Sequence, residues 1–125
     1  RAGEASSDVK KMLKQIGVAP EIVRKVAIAM YEGEINMVIH ADGGKITVTI
    51  SPTQIHMVLA DHGPGIADID QAMQAGYSTA PDNIRSLGFG AGMGLPNMKK
   101  YSDEMTINSV VGEGTTVTMV VYIRE

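Results

Sequence analysis

The chain has 125 residues, enough for one domain with its own core, and residues 1–125 are read as a single domain. Eleven Lys and Arg stand against 14 Asp and Glu, a net charge of −3 with no basic excess to draw nucleic acid; Arg85 is the only cation between Ile46 and Met98. The absence of cysteine excludes disulfides, thiolate metal sites and a cysteine nucleophile and suits a reducing cytoplasm, and no apolar run approaches the roughly 20 residues of a membrane span.

Glycine is in excess, 14 of 125 residues, against roughly 7% in average composition. Such glycines either loosen a chain or mark places where the backbone must do what side chains forbid. Aromatics are sparse at 4%, and the 9 methionines are expected to fill core gaps in their place. The start, Arg1-Ala2-Gly3-Glu4, is not that of a signal peptide and lacks an initiator Met, so a trimmed end is expected.

In chain order, Ser6, Ser7 or Asp8 is expected to N-cap a first helix, with Val9, Met12, Leu13 and Ile16 as its apolar stripe and Gly17 as its left-handed stop. Pro20 suits the first turn of a second helix, with Glu21 near its positive end, running to about His40 before Asp42-Gly43-Gly44. Lys45 to Ser51 alternates as a half-buried strand. Pro52-Thr53 turns it into a second strand, Gln54 to Asp61, paired as a hairpin. Asp68 to Ala75 reads as a short helix stopped by Gly76. Tyr77 to Gly92 has no clear period, and a structureless stretch of that length is more often a functional lid than filler. Leu95 to Tyr101 reads as a helix with Pro96 in its first turn. Met105 to Val111 and Thr115 to Ile123 close the chain as a hairpin around Gly112-Glu113-Gly114. Hairpins without βαβ alternation predict an α+β fold: a two-layer α/β sandwich with a mixed, mostly antiparallel sheet and helices on one face.

Three segments carry chemistry. Glu32 and Asn36 are four apart in the second helix and lie on one face, about 40° from each other, with His40 continuing the row. Glu34 points nearly the opposite way and should not share their task. Polar groups on so apolar a helix are costly unless partnered, and Gly33 weakens it by roughly 1 kcal/mol relative to Ala, a hint of close packing or ligand approach. Asp61-His62-Gly63-Pro64-Gly65-Ile66 follows an apolar strand. Its carboxylate only accepts hydrogen bonds, which suits an exocyclic amine such as that of adenine, and its tight turn can lie against a flat ligand. Gly88-Phe89-Gly90-Ala91-Gly92-Met93-Gly94-Leu95 opens a helix and exposes successive N–H groups, an arrangement suited to phosphates. It matches neither a P-loop nor G-x-G-x-x-G. Taken singly, each has a plainer reading: a solvated helix face, an ordinary turn, a glycine hinge. His40, His56 and His62 match no compact zinc-ligand spacing.

Taken together, E-x-x-x-N on a helix, D-x-G-x-G after a strand and G-x-G-x-G-x-G before a helix resemble the Bergerat-fold (GHKL) ATPases. Within them, Glu32 to Asp42, Gly76-Tyr77-Ser78-Thr79, the glycine box and Gly112-Glu113-Gly114-Thr115 look most like the anti-sigma factor/serine kinase branch. The resemblance implies ATP and Mg²⁺ as cofactors, with Glu32 as the general base, Asn36 as the metal ligand and Asp61 as the reader of the adenine amino group. Gly63, Gly65 and Ile66 would shape the pocket, Thr115 would support adenine through a water, and Gly88, Gly90, Gly92, Met93, Gly94 and Leu95 would wrap the phosphates. It further implies a serine/threonine protein kinase acting on a small antagonist protein in a bacterial partner-switching pathway, with a sigma factor as a further partner and room for a homodimer. Neither nucleic acid nor membrane is expected as a partner.

Three departures qualify that expectation. Family members usually begin with a strand before the first helix, whereas here the helix is expected to start almost at once, consistent with a trimmed end. The glycine box has Gly or Ala where some serine kinases of the family carry arginine, which leaves Arg85, or Lys99 or Lys100, as the candidate γ-phosphate contact. Gly33-Glu34 beside Glu32 is also unusual. The alternative is a non-catalytic ATP-binding regulatory module; the catalytic piece of a histidine kinase is a weaker one.

Overall fold

The twelve residues Glu4–Gln15 form the first helix, α1. The computed structural model describes residues 3–41, 44–66, 68–69, 73 and 94–123. Helix α1 begins earlier than its own sequence suggests. Its N-cap is Gly3, at φ 100, with no capping side chain there, and Ser6, Ser7 and Asp8 lie inside the helix. The acceptors come from elsewhere: the Glu34 carboxylate takes the N–H groups of Ala5 at 3.0 Å and Ser6 at 2.9 Å. A remote carboxylate that satisfies two of the free N–H groups of the first turn makes a local cap unnecessary. The helix ends as expected at Gly17, φ 84. There the N–H of Val18 reaches the Leu13 carbonyl and that of Gly17 the Lys14 carbonyl, the paired bonds of a Schellman stop.

The expected apolar stripe of α1 is narrower in the fold. Val9 and Leu13 are buried, whereas Met12 and Ile16 are 49% and 58% exposed. Helix α1 packs on the second helix, α2 (Pro20–Ala41), so only the row through Ser6, Val9 and Leu13 is covered. Helix α2 buries Ile22, Val23, Val26, Ala29, Met30 and Met37, the i, i+3, i+4 recurrence of a helix laid on a core.

Four strands follow the alternation expected of them: β1 (Gly44–Ile50), β2 (Gln54–Asp61), β3 (Glu104–Val110) and β4 (Gly114–Tyr122). Every pairing among them is antiparallel, in the order β1-β2-β4-β3, which settles the expectation of a mixed or antiparallel sheet for the described residues. The last strand therefore inserts between β2 and β3. On the inner face Leu59 pairs with Ile46 and Val117, and Met57 with Val48 and Met119. Thr47, Thr49, Thr106, Thr116 and Thr118 occupy the alternate, outward positions. The third described helix, α3 (Gly94–Lys100), buries Leu95 and Met98 beside α2.

The result is the two-layer α+β arrangement, with the core between helices and sheet. Met30, Met37, Met57, Met98 and Met119 are all buried in it, the part expected of methionine in an aromatic-poor chain. Of the segment expected as a helix over 68–75, only Asp68, Ile69 and Met73 are described, and the Met73 N–H donates to the Ile69 carbonyl at 3.0 Å. No described helix is long and apolar enough to cross a membrane.

Candidate functional site

Two clusters sit along the same end of the sheet and helix layers. The first is the α2–α3 seam. Glu32 is half-buried, and its Oε2 accepts a hydrogen bond from Asn97 Nδ2 at 3.4 Å. Burial pushes the Glu32 carboxyl above the ordinary glutamate value, and the Asn97 hydrogen bond draws it partly back. One turn further on, the Asn36 carboxamide oxygen lies 3.7 Å from where a β-carbon on Gly94 would stand, so it faces the first residue of α3. The one-face relation of Glu32 and Asn36 is thus a shared approach to α3.

Gly33 and Glu34 between them serve the fold. A β-carbon on Gly33 would lie 2.3 Å from Leu59 Cδ2 and 3.3 Å from Met98 Cε, so glycine is what lets α2 settle on β2 and α3. Of the two uses open to Gly33 in the sequence, the structure shows close packing. Glu34, only 5% exposed, points away from Glu32 and caps α1.

The second cluster gathers around Asp61, where β2 ends. Its Oδ1 accepts the N–H of Gly63 at 2.9 Å and the N–H of Thr115 at 3.1 Å. No described residue bonds Oδ2. Because no buried side-chain oxygen or nitrogen among the described residues lacks a partner, Oδ2 reaches accessible surface. One oxygen is anchored and the other is presented: a fixed acceptor for a donor that arrives from outside.

The 61–66 turn is stitched to the β3–β4 hairpin. The N–H of Gly112 donates to the Pro64 carbonyl at 2.8 Å, and that of Ile66 to Ser109 Oγ at 2.6 Å. Ser109 Oγ lies 2.8 Å from Thr115 Oγ1, its direct cross-strand neighbour. At Gly65, φ 81, a β-carbon would fall 2.5 Å from the Val110 carbonyl oxygen; at Gly114, φ 142, one would fall 2.1 Å from that of Asp61. Left-handed backbone and contact with another backbone together require glycine at both.

Sequence reading missed two members of these clusters. Ser109 takes an inward position in β3 after Met105 and Ile107, so a polar residue breaking an apolar row was its signal. Asn97 had none, because its partner is 65 positions away. Gly88, Gly90, Gly92, Met93 and Arg85 lie outside the described residues, as do Gly76-Tyr77-Ser78-Thr79 and the His40 side chain. Lys99 and Lys100 are exposed in the last turn of α3, and the Lys100 ammonium stands 5.4 Å over the Tyr101 ring. Among the described residues no group of three His, Cys, Asp or Glu could hold a metal ion.

With that geometry in hand, the chain can be placed among known proteins. The pattern of the histidine kinase-like ATPase domain matches residues 1–121, and the chain belongs to this family. It is 35% identical over 104 residues to the serine/threonine-protein kinase RsbT of Bacillus subtilis, covering 83% of this chain and 67% of that one. It is 32% identical over 124 residues to an anti-sigma F factor of Thermoanaerobacter sp., covering 95% and 83%. Among solved structures it resembles the mycobacterial sensor histidine kinase MprB, with a TM-score of 0.59 over 82% of this chain and 72% of that one; at 20% identity this likeness is one of fold.

Proposed function

We propose that this chain is an ATP-dependent serine/threonine protein kinase of the anti-sigma regulatory type, a single domain that phosphorylates a small antagonist protein in a bacterial partner-switching pathway. The observation that carries the proposal is the pairing of a raised, half-buried Glu32 with Asn36 on the helix face that meets α3, while Asp61 offers one open oxygen at the strand end. The similarity to RsbT and the anti-sigma F factors supports the same reading.

Asp61 Oδ2 accepts from the adenine amino group, with Gly63, Gly65, Ile66 and Thr115 forming the walls around it. Gly88, Gly90, Gly92, Met93, Gly94 and Leu95 wrap the phosphates, and Arg85 is the candidate contact to the γ-phosphate. The Asn36 oxygen is a neutral, hard donor facing the start of α3, and one such ligand suffices for Mg²⁺ when phosphates and water complete the shell. Asn36 would thus hold an ion whose charge, when bound, offsets that of the phosphates. Glu32 takes the proton from the attacking serine or threonine hydroxyl as its oxygen bonds to the γ-phosphorus and ADP leaves.

Incubation with MgATP and the antagonist tests this by mass spectrometry. A shift of one phosphate on the antagonist is expected; none, despite tight ATP binding, would refute catalysis. The absence of arginine from Gly88 to Leu95 favours a second reading, a binding module shaped by ATP without transfer. Glu32→Gln separates the two, since a module keeps its partner switching and a kinase loses it while still binding ATP.

A further inference from the structure

Helices α2 and α3 meet at two polar points one turn apart on α2. Asn36 faces Gly94, and Glu32 bonds Asn97. Between these points Met98 packs towards Gly33, and both Met98 and Leu95 are buried, so α3 cannot slide along α2 without opening its apolar side. Asn97 is the single hydrogen-bond partner that the Glu32 carboxylate has among the described residues.

We infer that Asn97 is a positioning residue for Glu32: its Nδ2 holds Oε2 and leaves Oε1 as the oxygen that receives the proton. This rests on the reading of Glu32 as general base. A glutamate has three rotatable side-chain bonds, and an unanchored carboxylate loses time in unproductive rotamers. The 3.4 Å separation is long for a hydrogen bond, as catalytic contacts often are before substrate closes the site. Among the described residues no charged side chain bonds the Glu32 carboxylate. Lys99 and Lys100 are exposed at the far end of α3, and Lys100 lies over Tyr101. Asp61 of β2 is held by Gly63 and Thr115, Glu34 by α1, and the lysines of α1 point to solvent. The bond also ties the base to the helix on which the glycine box ends.

The test is steady-state hydrolysis of MgATP, water replacing the protein hydroxyl, in wild type, Asn97→Ala, Glu32→Gln and the double variant. Asn97→Ala is expected to lower kcat about tenfold with KM for ATP unchanged, and to add nothing in the Glu32→Gln background. Wild-type kcat in Asn97→Ala, a rise in KM alone, or a loss repeated in full beside Glu32→Gln would overturn the inference with the base intact. Full turnover in Glu32→Gln would instead remove the base itself, and the role of Asn97 with it. A readout independent of turnover is the NMR signal of the Asn97 side-chain amide in ATP-free protein. It is expected to move between wild type and Glu32→Ala, and an identical signal would show that the bond does not exist.

Discussion

Gly33 approaches Leu59 so closely that a β-carbon on the glycine would lie 2.3 Å from Leu59 Cδ2. That contact fixes the height of α2 over β2 at the residue beside Glu32, two positions before the strand delivers Asp61. The spacing of Glu32 and Asp61, the proposed base and adenine acceptor, is therefore set by a packing contact between their neighbours.

Gly33→Ala is expected to destabilise the fold. Overpacking costs about 1–3 kcal/mol, which the better helix propensity of alanine offsets by roughly 1 kcal/mol. Denaturant titration measures the net loss, and the paired variant Gly33→Ala with Leu59→Ala should recover part of it by opening space for the methyl group.

Glu34→Ala is expected to cost about 1–2 kcal/mol by leaving the N–H groups of Ala5 and Ser6 without their acceptor. ATP affinity should stay at the wild-type level, because Glu34 faces away from Glu32. Thermal melting together with nucleotide titration checks both halves.

Burial raises the Glu32 carboxyl, so its ionised form is populated at higher pH than in the ordinary glutamate range. Turnover should rise with pH along a limb displaced upward from that range. The stability sign runs the other way: with the folded value above the unfolded one, the contribution is full below the unfolded value and lost as pH rises through the folded one. Glu32→Gln should therefore gain in Tm relative to wild type on going from pH 4 to pH 8 and should lack the limb. A pH series of melting and turnover reads both.

Ser109→Ala removes the acceptor of the Ile66 N–H and the partner of Thr115 Oγ1. A typical hydrogen bond contributes about 1 kcal/mol, so ATP affinity should fall about fivefold through a loosened 61–66 turn. Calorimetric titration gives the value, and Ser109→Thr should retain more affinity than alanine.

The four strands were legible because each alternates inner apolar with outer polar residues, Ile46-Thr47-Val48-Thr49-Ile50 most plainly. So was the Glu32–Asn36 face, since helix periodicity fixes it. Non-local pairing was not. The start of α1 depends on Glu34, 28 positions after Ser6, and local capping chemistry points to the wrong residues. Insertion of β4 between β2 and β3 brings Thr115 to Asp61, and nothing in either segment announces it. Met12 and Ile16 share a helical stripe with Val9 and Leu13, yet how much of a stripe is covered depends on the width of the neighbouring helix. Part of the glycine excess serves packing within the fold: Gly33, Gly65 and Gly114 answer to Leu59, Val110 and Asp61.

The proposed nucleotide site requires ATP to sit with its adenine at Asp61, whose Oδ1 is occupied by Gly63 and Thr115 and whose Oδ2 is bonded by no described residue. Isothermal titration of MgATP into wild type and Asp61→Asn tests this most directly. Wild type is expected to bind ATP and Asp61→Asn to show no measurable binding while remaining folded; equal affinity in the two proteins would contradict the placement of the nucleotide.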